Sequence, residues 1–558
     1  MKLIRPGRHT KWFIVDSGLA IAIGFASLSA FPTPLSAQVA ATATTTPPAP
    51  TTLGLPCTDK SVRNNPPTPD PLKGQKDPFV GQLVGPTLPP DLLPIKDETQ
   101  KSILAAPLLP PCQESVSPSG QEAVGLDNLQ RGFDFYSWRT FIALNSPADG
   151  KTPIEQAQAS DRTLWEDMNS FKQLADVMLL EANQLPPKWP TDRPGMEAER
   201  KRLMPKQCSD LHVPDESQRM VVKMIEESFN EPFKTGPLID QNGRYAIFDI
   251  LMNRQMFDYI MLNHLNTKDG QAANSSLVVD FPAGLNSNSN LGAFMLKVSW
   301  KILSESEIQA QTFHTVKALV LTPPIPDKTV QKCFPETLGL IGFHAVHKTA
   351  SRPQWIWTSF EHVKNVPDSD EVKKPEELNG TYNFYNKDCT GACTVNATPQ
   401  RPWNPDPNPP KDRELKFRSD NSFKSQIVRE TPVTPAAKNM NAIFQRMLAN
   451  SVWKNYMLIS TQWPSAFGCT SLKSRNPSAT DPKNDFHKQP DMTCSPAPTF
   501  MANSTLETYS QGEVPIASSS CIACHGNAVG FQKTTSNPQP GKPNMNQSDF
   551  TFILEKAQ

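Results

Sequence analysis

The strongest constraint on this chain is one stretch near its end, Ser518-Ser519-Ser520-Cys521-Ile522-Ala523-Cys524-His525-Gly526. Its C-x-x-C-H pattern is the attachment signature of a c-type haem. Two cysteines three positions apart on a helix lie about one turn apart, so both thiols reach the vinyl groups along one porphyrin edge. The histidine that follows offers an imidazole nitrogen to the iron. With ten Cys and nine His in 558 residues, composition alone yields about 0.003 such patterns by chance. A zinc half-site needs two more Cys or His close by, and none lies within twenty residues of the motif. A thioredoxin-like dithiol calls for a surrounding βαβ pattern, which the flanks lack. His525 is followed by only 33 residues. Any fold that covers a haem here must therefore be completed by chain that precedes the motif.

Cys521, Cys524 and His525 resemble the haem-binding residues of the cytochrome c family. That resemblance covers the motif and its flanks only. Ordinary class I members carry the motif near the start of a domain of about a hundred residues, and this chain departs from that order. A second resemblance covers more of the chain. Phe135-Tyr136-Ser137-Trp138-Arg139-Thr140-Phe141-Ile142-Ala143-Leu144-Asn145 is similar to a block in large bacterial proteins called cytochrome c family proteins. So are Gly342-Phe343-His344-Ala345-Val346-His347-Lys348, Trp355-Ile356-Trp357 and Phe360-Glu361-His362. The resemblance implies a periplasmic protein with one haem c and no named substrate.

The start of the chain points the same way. Residues 1–37 read as a secretory signal. Lys2, Arg5, Arg8 and Lys11 form its positive start, Gly18 to Phe31 an apolar run of 14, and Leu35-Ser36-Ala37 a cleavage site, with Ala41-Thr42-Ala43 as a second. Fourteen residues fall short of the roughly 20 that span a bilayer, so no membrane span is expected after cleavage; an uncleaved anchor is the alternative. Residues 38–120 read as an extended leader, because sixteen prolines between Pro47 and Pro111 exclude helix and central strand. Basic and acidic residues balance at 55 each, which gives no argument for a nucleic-acid partner.

The body, 121–425, is expected to be α+β, with a helical N-terminal part and an antiparallel sheet in the middle. From Asp127, Leu129, Phe133, Tyr136, Phe141 and Leu144 recur at near-helical spacing. Further helices are expected over Glu155–Asn183 and Glu216–Ser228. The pattern then changes to period 2 in Ala293–Leu303, His314–Leu321, Leu338–His347 and Gln354–Glu361, four strand-like runs separated by turn residues. No phosphate-binding Gly loop, G-x-S-x-G elbow, H-E-x-x-H helix or EF-hand loop occurs. Residues 364–425 are loop-rich. Region 426–558 is expected to be a mostly helical haem c segment. A helix capped by Thr434, with Pro435 in its first position, runs to about Ser460, and a terminal helix, capped by Ser548 or Asp549, covers Ser548 to Ala557.

Eight cysteines remain beside the motif, an even number that in an exported chain implies disulfides. Cys389 with Cys393 and Cys469 with Cys494 are the expected local pairs, and Cys57 with Cys112 and Cys208 with Cys333 would complete one set among the 105 pairings that eight cysteines allow. The iron's second axial position decides the function class. Met545, in the loop Gly541-Lys542-Pro543-Asn544-Met545, is the first candidate. His344 and His347 follow, although three positions apart on a strand they point to opposite faces; His362 completes that imidazole cluster. The expected function is an exported electron-transfer cytochrome with one covalent haem c and an unidentified redox partner. The alternatives are a haem-dependent redox enzyme of peroxidase or oxygenase type, or a haem-based sensor.

Overall fold

The computed structural model describes residues 57, 110–112 and most of the chain from 126 onward. Outside the described residues lie 180–184, 212–219, 224–227, 229–234, 285–289, 323–331, 400–415, 418–420, 466–495, 513–518, 531–547 and a few single positions. The signal, nearly all of the leader, Cys469, Cys494 and Met545 are therefore outside it. All described residues belong to one unit, Thr52–Gln558. Among them no helix is long and apolar enough to cross a membrane.

The protein is α+β, built on a nine-stranded sheet. The strands are β1 (Phe171–Gln173), β2 (Met220–Lys223), β3 (Ile247–Asn253), β4 (Phe294–Ile302), β5 (Thr315–Leu321), β6 (Cys333–His347), β7 (Ile356–His362), β8 (Tyr456–Pro464) and β9 (Pro496–Ala497). The main order is β1-β3-β4-β6-β7-β8-β9, with β5 on the N-terminal half of β6 and β2 beyond β5. All pairs are antiparallel except β2 with β5. The four period-2 runs are β4, β5, the later part of β6, and β7.

The two faces of the sheet are packed differently. On one face, Leu296, Val298 and Trp300 of β4 and Leu340, Phe343 and Ala345 of β6 form an apolar core. The parity change between Leu340 and Phe343 marks a bulge, because Ser299 pairs with Gly342 and Trp300 with Leu340, leaving Ile341 extra. Helix α1 (Leu126–Leu144) and helix α2 (Pro435–Met447) cover this face. Trp138 of α1 stacks on Phe444 of α2 at 4.8 Å, and Phe141 stacks on Phe360 of β7 at 4.1 Å. The aromatic stripe of α1 is thus core packing.

The other face carries Lys297, Ser299, Gly342, His344, Ser359 and Glu361, and all but half-buried Lys297 lie inside. The segment 501–510 lies across it and satisfies it by hydrogen bonds. Asn503 Nδ2 donates to Ser359 Oγ and Phe360 O at 3.0 and 2.9 Å. Thr505 Oγ1 and Ser299 Oγ are 2.9 Å apart. The backbone N–H and the hydroxyl of Ser504 donate to Glu361, which also pairs with Arg429 at 2.7 Å. A side chain at Gly342 would collide with Thr505 and Ser299, so glycine is what lets this segment lie so close.

Three expected helices ahead of the motif differ. Over Glu155–Asn183 there is only a 3₁₀ turn at Ile154–Gln156, then β1, then one turn at Leu174–Val177. Asp161 and Asp167 accept the backbone N–H groups of Gln158 and Asn169, both at 2.8 Å, and so favour turns over helix. Within Glu216–Ser228 the β-branched pair Val221-Val222 lies instead in β2. The helix from Thr434 has the expected cap, with Thr434 Oγ1 accepting from Ala437 N at 3.2 Å, but it ends at Met447 and Tyr456–Pro464 is strand β8. The C-terminal region is accordingly less helical than expected. Beyond α2, its helical turns among the described residues are Val452–Asn455, Thr508–Ser510, Cys521–His525 and Phe552–Lys556.

Three disulfides join the expected cysteines: Cys57–Cys112, Cys208–Cys333 and Cys389–Cys393. The Cys469–Cys494 pair lies outside the described residues. Cys57 and Cys112 are buried in the core, so the leader is tied to the body at that point. Cys208–Cys333 closes a separation of 125 residues. Its removal by Cys208→Ser with Cys333→Ser is expected to lower unfolding free energy by about 2–4 kcal/mol. Urea denaturation checks this, and an unchanged midpoint and slope would contradict it.

Candidate functional site

The motif forms helix α3 (Cys521–His525), which is short because Ser520 caps it and Gly526 follows at once. Ser520 Oγ accepts from Ala523 N at 3.3 Å. The same hydroxyl donates to Gln462 Oε1 on β8 at 3.2 Å, and Ile522 N donates to that oxygen at 2.9 Å. Gln462 Nε2 in turn donates to Pro498 O at 2.8 Å. One buried amide therefore fixes the N-terminus of α3 to the sheet. Ile522 packs into the second apolar core with Met295, Val346 and Trp357. Those three and Gln462 belong to one cross-strand row: Met295 pairs with Val346, Val346 with Trp357, and Trp357 with Gln462. The motif sits over this row.

His525 is oriented from two sides. Its ring lies 4.4 Å from that of Trp357 and 4.9 Å from that of Phe552. Its Nδ1–H donates to the backbone carbonyl of Phe550 at 3.0 Å. That bond selects the tautomer with the proton on Nδ1, and Nε2 has no hydrogen-bond partner among the described residues. Ring nitrogens that bind metal ordinarily have their other N–H held in this way. Desolvation pushes the imidazole pKa down to about 4, and the Phe550 carbonyl acts against it. The ring is therefore neutral at pH 7, the state in which it donates a lone pair.

The Phe550 carbonyl is aimed by an unusual turn. Asp549 and Phe550 both adopt left-handed backbone, with φ of 50° and 62°, a conformation that costs a non-glycine residue about 1 kcal/mol or more. The buried Asp549 carboxylate holds the turn by pairing with Lys348 Nζ at 2.5 Å and accepting from Phe281 N at 2.8 Å. Lys348 also pairs with Asp280. This turn replaces the start of the helix expected over Ser548–Ala557, which is reduced to the 3₁₀ turn Phe552–Lys556, capped by Thr551.

Cys521 and Cys524 are half-buried and free of disulfide. Burial, reinforced by the Glu507 carboxylate, pushes the Cys521 thiol well above its usual pKa and that of Cys524 up to about 11. Burial thus favours the protonated thiol at both positions. A disulfide-exchange dithiol requires the opposite shift. Among the described residues no group of three or more His, Cys, Asp or Glu is placed to hold a bare metal ion. The donor set fits haem c: two thiols one turn apart and an oriented neutral imidazole with Nε2 available.

His344 lies on the motif's face of the sheet, with its Nε2 2.8 Å from Glu507 Oε1. Glu507 loses solvation by burial, but His344 and Lys297 outweigh that loss and hold its pKa down at about 2. Lys297 is the cross-strand neighbour of His344. His347 points to the opposite face, where its Nδ1 meets the Tyr136 hydroxyl and its Nε2–H donates to Leu291 O at 2.5 Å. His362 donates to Thr312 O at 3.1 Å and stacks on Phe313 at 4.2 Å. Burial lowers the pKa of His347 to about 4 and of His362 to about 3. Both are hydrogen-bonded core histidines, and His344 is the member of the cluster that shares a face with His525. Sequence reasoning did not find Gln462, Glu507 or the Phe550 carbonyl, none of which has a motif of its own, and gave Trp357 no role beyond its place in the Trp355-Ile356-Trp357 block.

Comparison with protein families, curated proteins and solved structures returned no match.

The Glu507 shift has a definite sign. Its folded pKa lies below the ordinary glutamate value of 4.5, so its contribution to stability is full above that value and is lost as pH falls toward 2. Stability measured by urea denaturation across that window is expected to fall less steeply for Glu507→Gln than for the parent. Parallel profiles would contradict the pairing.

Proposed function

We propose that the protein is an exported c-type cytochrome that carries one covalent haem c and passes electrons to and from an unidentified redox partner. Haem c supplies one-electron chemistry at its iron when bound. Cys521 and Cys524 would hold it through thioethers, and His525 Nε2 would ligate its iron. The observation that carries this reading is the Nδ1–H bond from His525 to the Phe550 carbonyl, which strengthens the imidazole as a donor and fixes its plane. Trp357 and Phe552 limit ring rotation from either side. A periplasmic location is supported by the signal-like start and by three cysteine pairs within bonding distance.

A haem-dependent redox enzyme of peroxidase or oxygenase type is the second reading. It is favoured by the His344–Glu507 pair on the motif's face, an imidazole–carboxylate couple suited to moving a proton. Met545 stands as the proposed distal ligand of the electron-transfer reading.

The exported protein is expected to retain one haem through acid–acetone extraction, and Cys521→Ala with Cys524→Ala to lose it; retention by the double variant would refute covalent attachment. Met545→Ala separates the two readings by spectrum and potential. If Met545 is axial, its loss lowers the potential and opens the iron to exogenous ligands. A parent protein that is already high-spin and binds carbon monoxide would shift the assignment to the enzyme reading.

A further inference from the structure

A second site stands apart from the motif. The strands β1, β3, β4, β6, β5 and β2 follow one another by ladder pairing. The two end strands meet again through side chains. Gln173 Nε2 donates to Val221 O, and Lys223 pairs with Asp176. The sheet thus curls toward a barrel, and a cavity of about 440 Å³ opens at this seam. Because it opens at an edge, residues from both faces of β1 border it. Phe171 belongs to the core beneath α1 and α2. Lys172 faces the other way, paired across the strands with Met252 of the second apolar core, its ammonium 5.4 Å from the centre of the Trp189 ring.

On the Lys172 side the cavity is bordered by Met196, Arg200 and Leu203. Spaced four and three positions apart, they share one face of the helix Arg193–Arg202 and the residue just past its end. Lys172 is only 9% exposed and makes no hydrogen bond or ion pair with any described residue. A lysine this buried is ordinarily paired, because removing a lone ammonium from water is costly. The carboxylates that attract it, Asp176 and Glu199, are each held by another cation, Lys223 and Arg202. Desolvation lowers the Lys172 pKa; Arg202 and Lys223 act in the same direction, and the two carboxylates act against it. A lysine kept from water and set beside other cations holds more of the free amine, the form that attacks carbonyl carbon. Lys172 thus joins three features of an amine nucleophile: burial, no ion-pair partner and an adjoining cavity.

We propose that Lys172 captures a small aldehyde bearing a carboxylate, as an imine within this cavity. The amine nitrogen attacks the aldehyde carbon and a C–N bond forms. The two amine hydrogens leave with the carbonyl oxygen as water, which leaves the C=N bond. Met196 and Leu203 border the short carbon chain. Arg200, half-buried and without a hydrogen bond or ion pair to any described residue, takes the carboxylate. The proposal is independent of the haem reading.

Treating the full exported protein with succinic semialdehyde and sodium cyanoborohydride tests it, since hydride addition fixes an imine as a secondary amine that peptide mass mapping locates. Lys172 is expected to gain the label at least about tenfold faster than the exposed Lys151 and Lys454. Butanal, of the same chain length but without the carboxylate, should label Lys172 at least about fivefold more slowly, and Arg200→Gln should remove that difference. Lys172→Met should leave the labelling of Lys151 and Lys454 as in the parent. The mapping is made on the parent chain, so it decides the matter even where that variant fails to fold. Label absent from Lys172 or no faster there than on the exposed lysines, equal labelling by butanal, or a preference untouched by Arg200→Gln would each overturn the proposal.

Discussion

A buried polar face on the central sheet holds the C-terminal part of the chain in place. Ser299, Ser359, Glu361 and Gln462 project from β4, β7 and β8 toward segments that lie far away in sequence. In water these groups would be solvated at no cost. Covered, each needs a partner, and an orphan would cost about 1–3 kcal/mol. The partners come from Asn503, Ser504, Thr505, Ser520 and Ile522, so the segment is held by many directional bonds whose geometry admits one position. The Arg429–Glu361 pair shows the same logic for charge. Desolvation works against ionisation of Arg429, yet the paired Glu361 and Asp368 outweigh it and raise its pKa. Removing one partner of such a pair typically costs about 3–5 kcal/mol.

That anchoring gives the motif its chemical character. A five-residue helix has no stability of its own. Gln462 supplies its N-terminal acceptor, Ile522 its apolar anchor, and the strained Asp549–Phe550 turn the acceptor for His525 Nδ1–H. The turn of two left-handed residues is fastened by the Lys348–Asp549 contact, whose lysine lies one residue beyond β6. The sheet thereby sets both ends of the site.

Much of the fold was legible in the sequence. Period-2 runs located β4, β5, β6 and β7, and side-chain parity correctly separated His344 from His347. The oxidised state followed from the even cysteine count, and three of the suggested pairs are present. Other features left no local signal. Val221-Val222 became a strand because β5 offered an edge, a fact outside that segment. Tyr456 to Ser460 looked like the continuation of a capped helix until the partner strand β7 is considered. Ser548 and Asp549 resembled a helix cap, whereas the aspartate serves Lys348, some two hundred residues away. In the site, the ligand-type residues were readable because chemistry dictates their spacing. The residues that orient them were not, because Gln462, Trp357 and a backbone carbonyl act through position alone.

The central claim is that α3 belongs to the same cooperative unit as the sheet. Hydrogen exchange of the exported protein as a function of denaturant measures this directly, since amides that open together share one free energy and one denaturant slope. The amide of Ile522, bonded to Gln462, and the ladder amides of β6 from Gly342 to Val346 are the ones to compare. The account predicts that they merge into one global opening. Exchange of the motif amides through a separate, low-energy opening, with the sheet still protected, would contradict it.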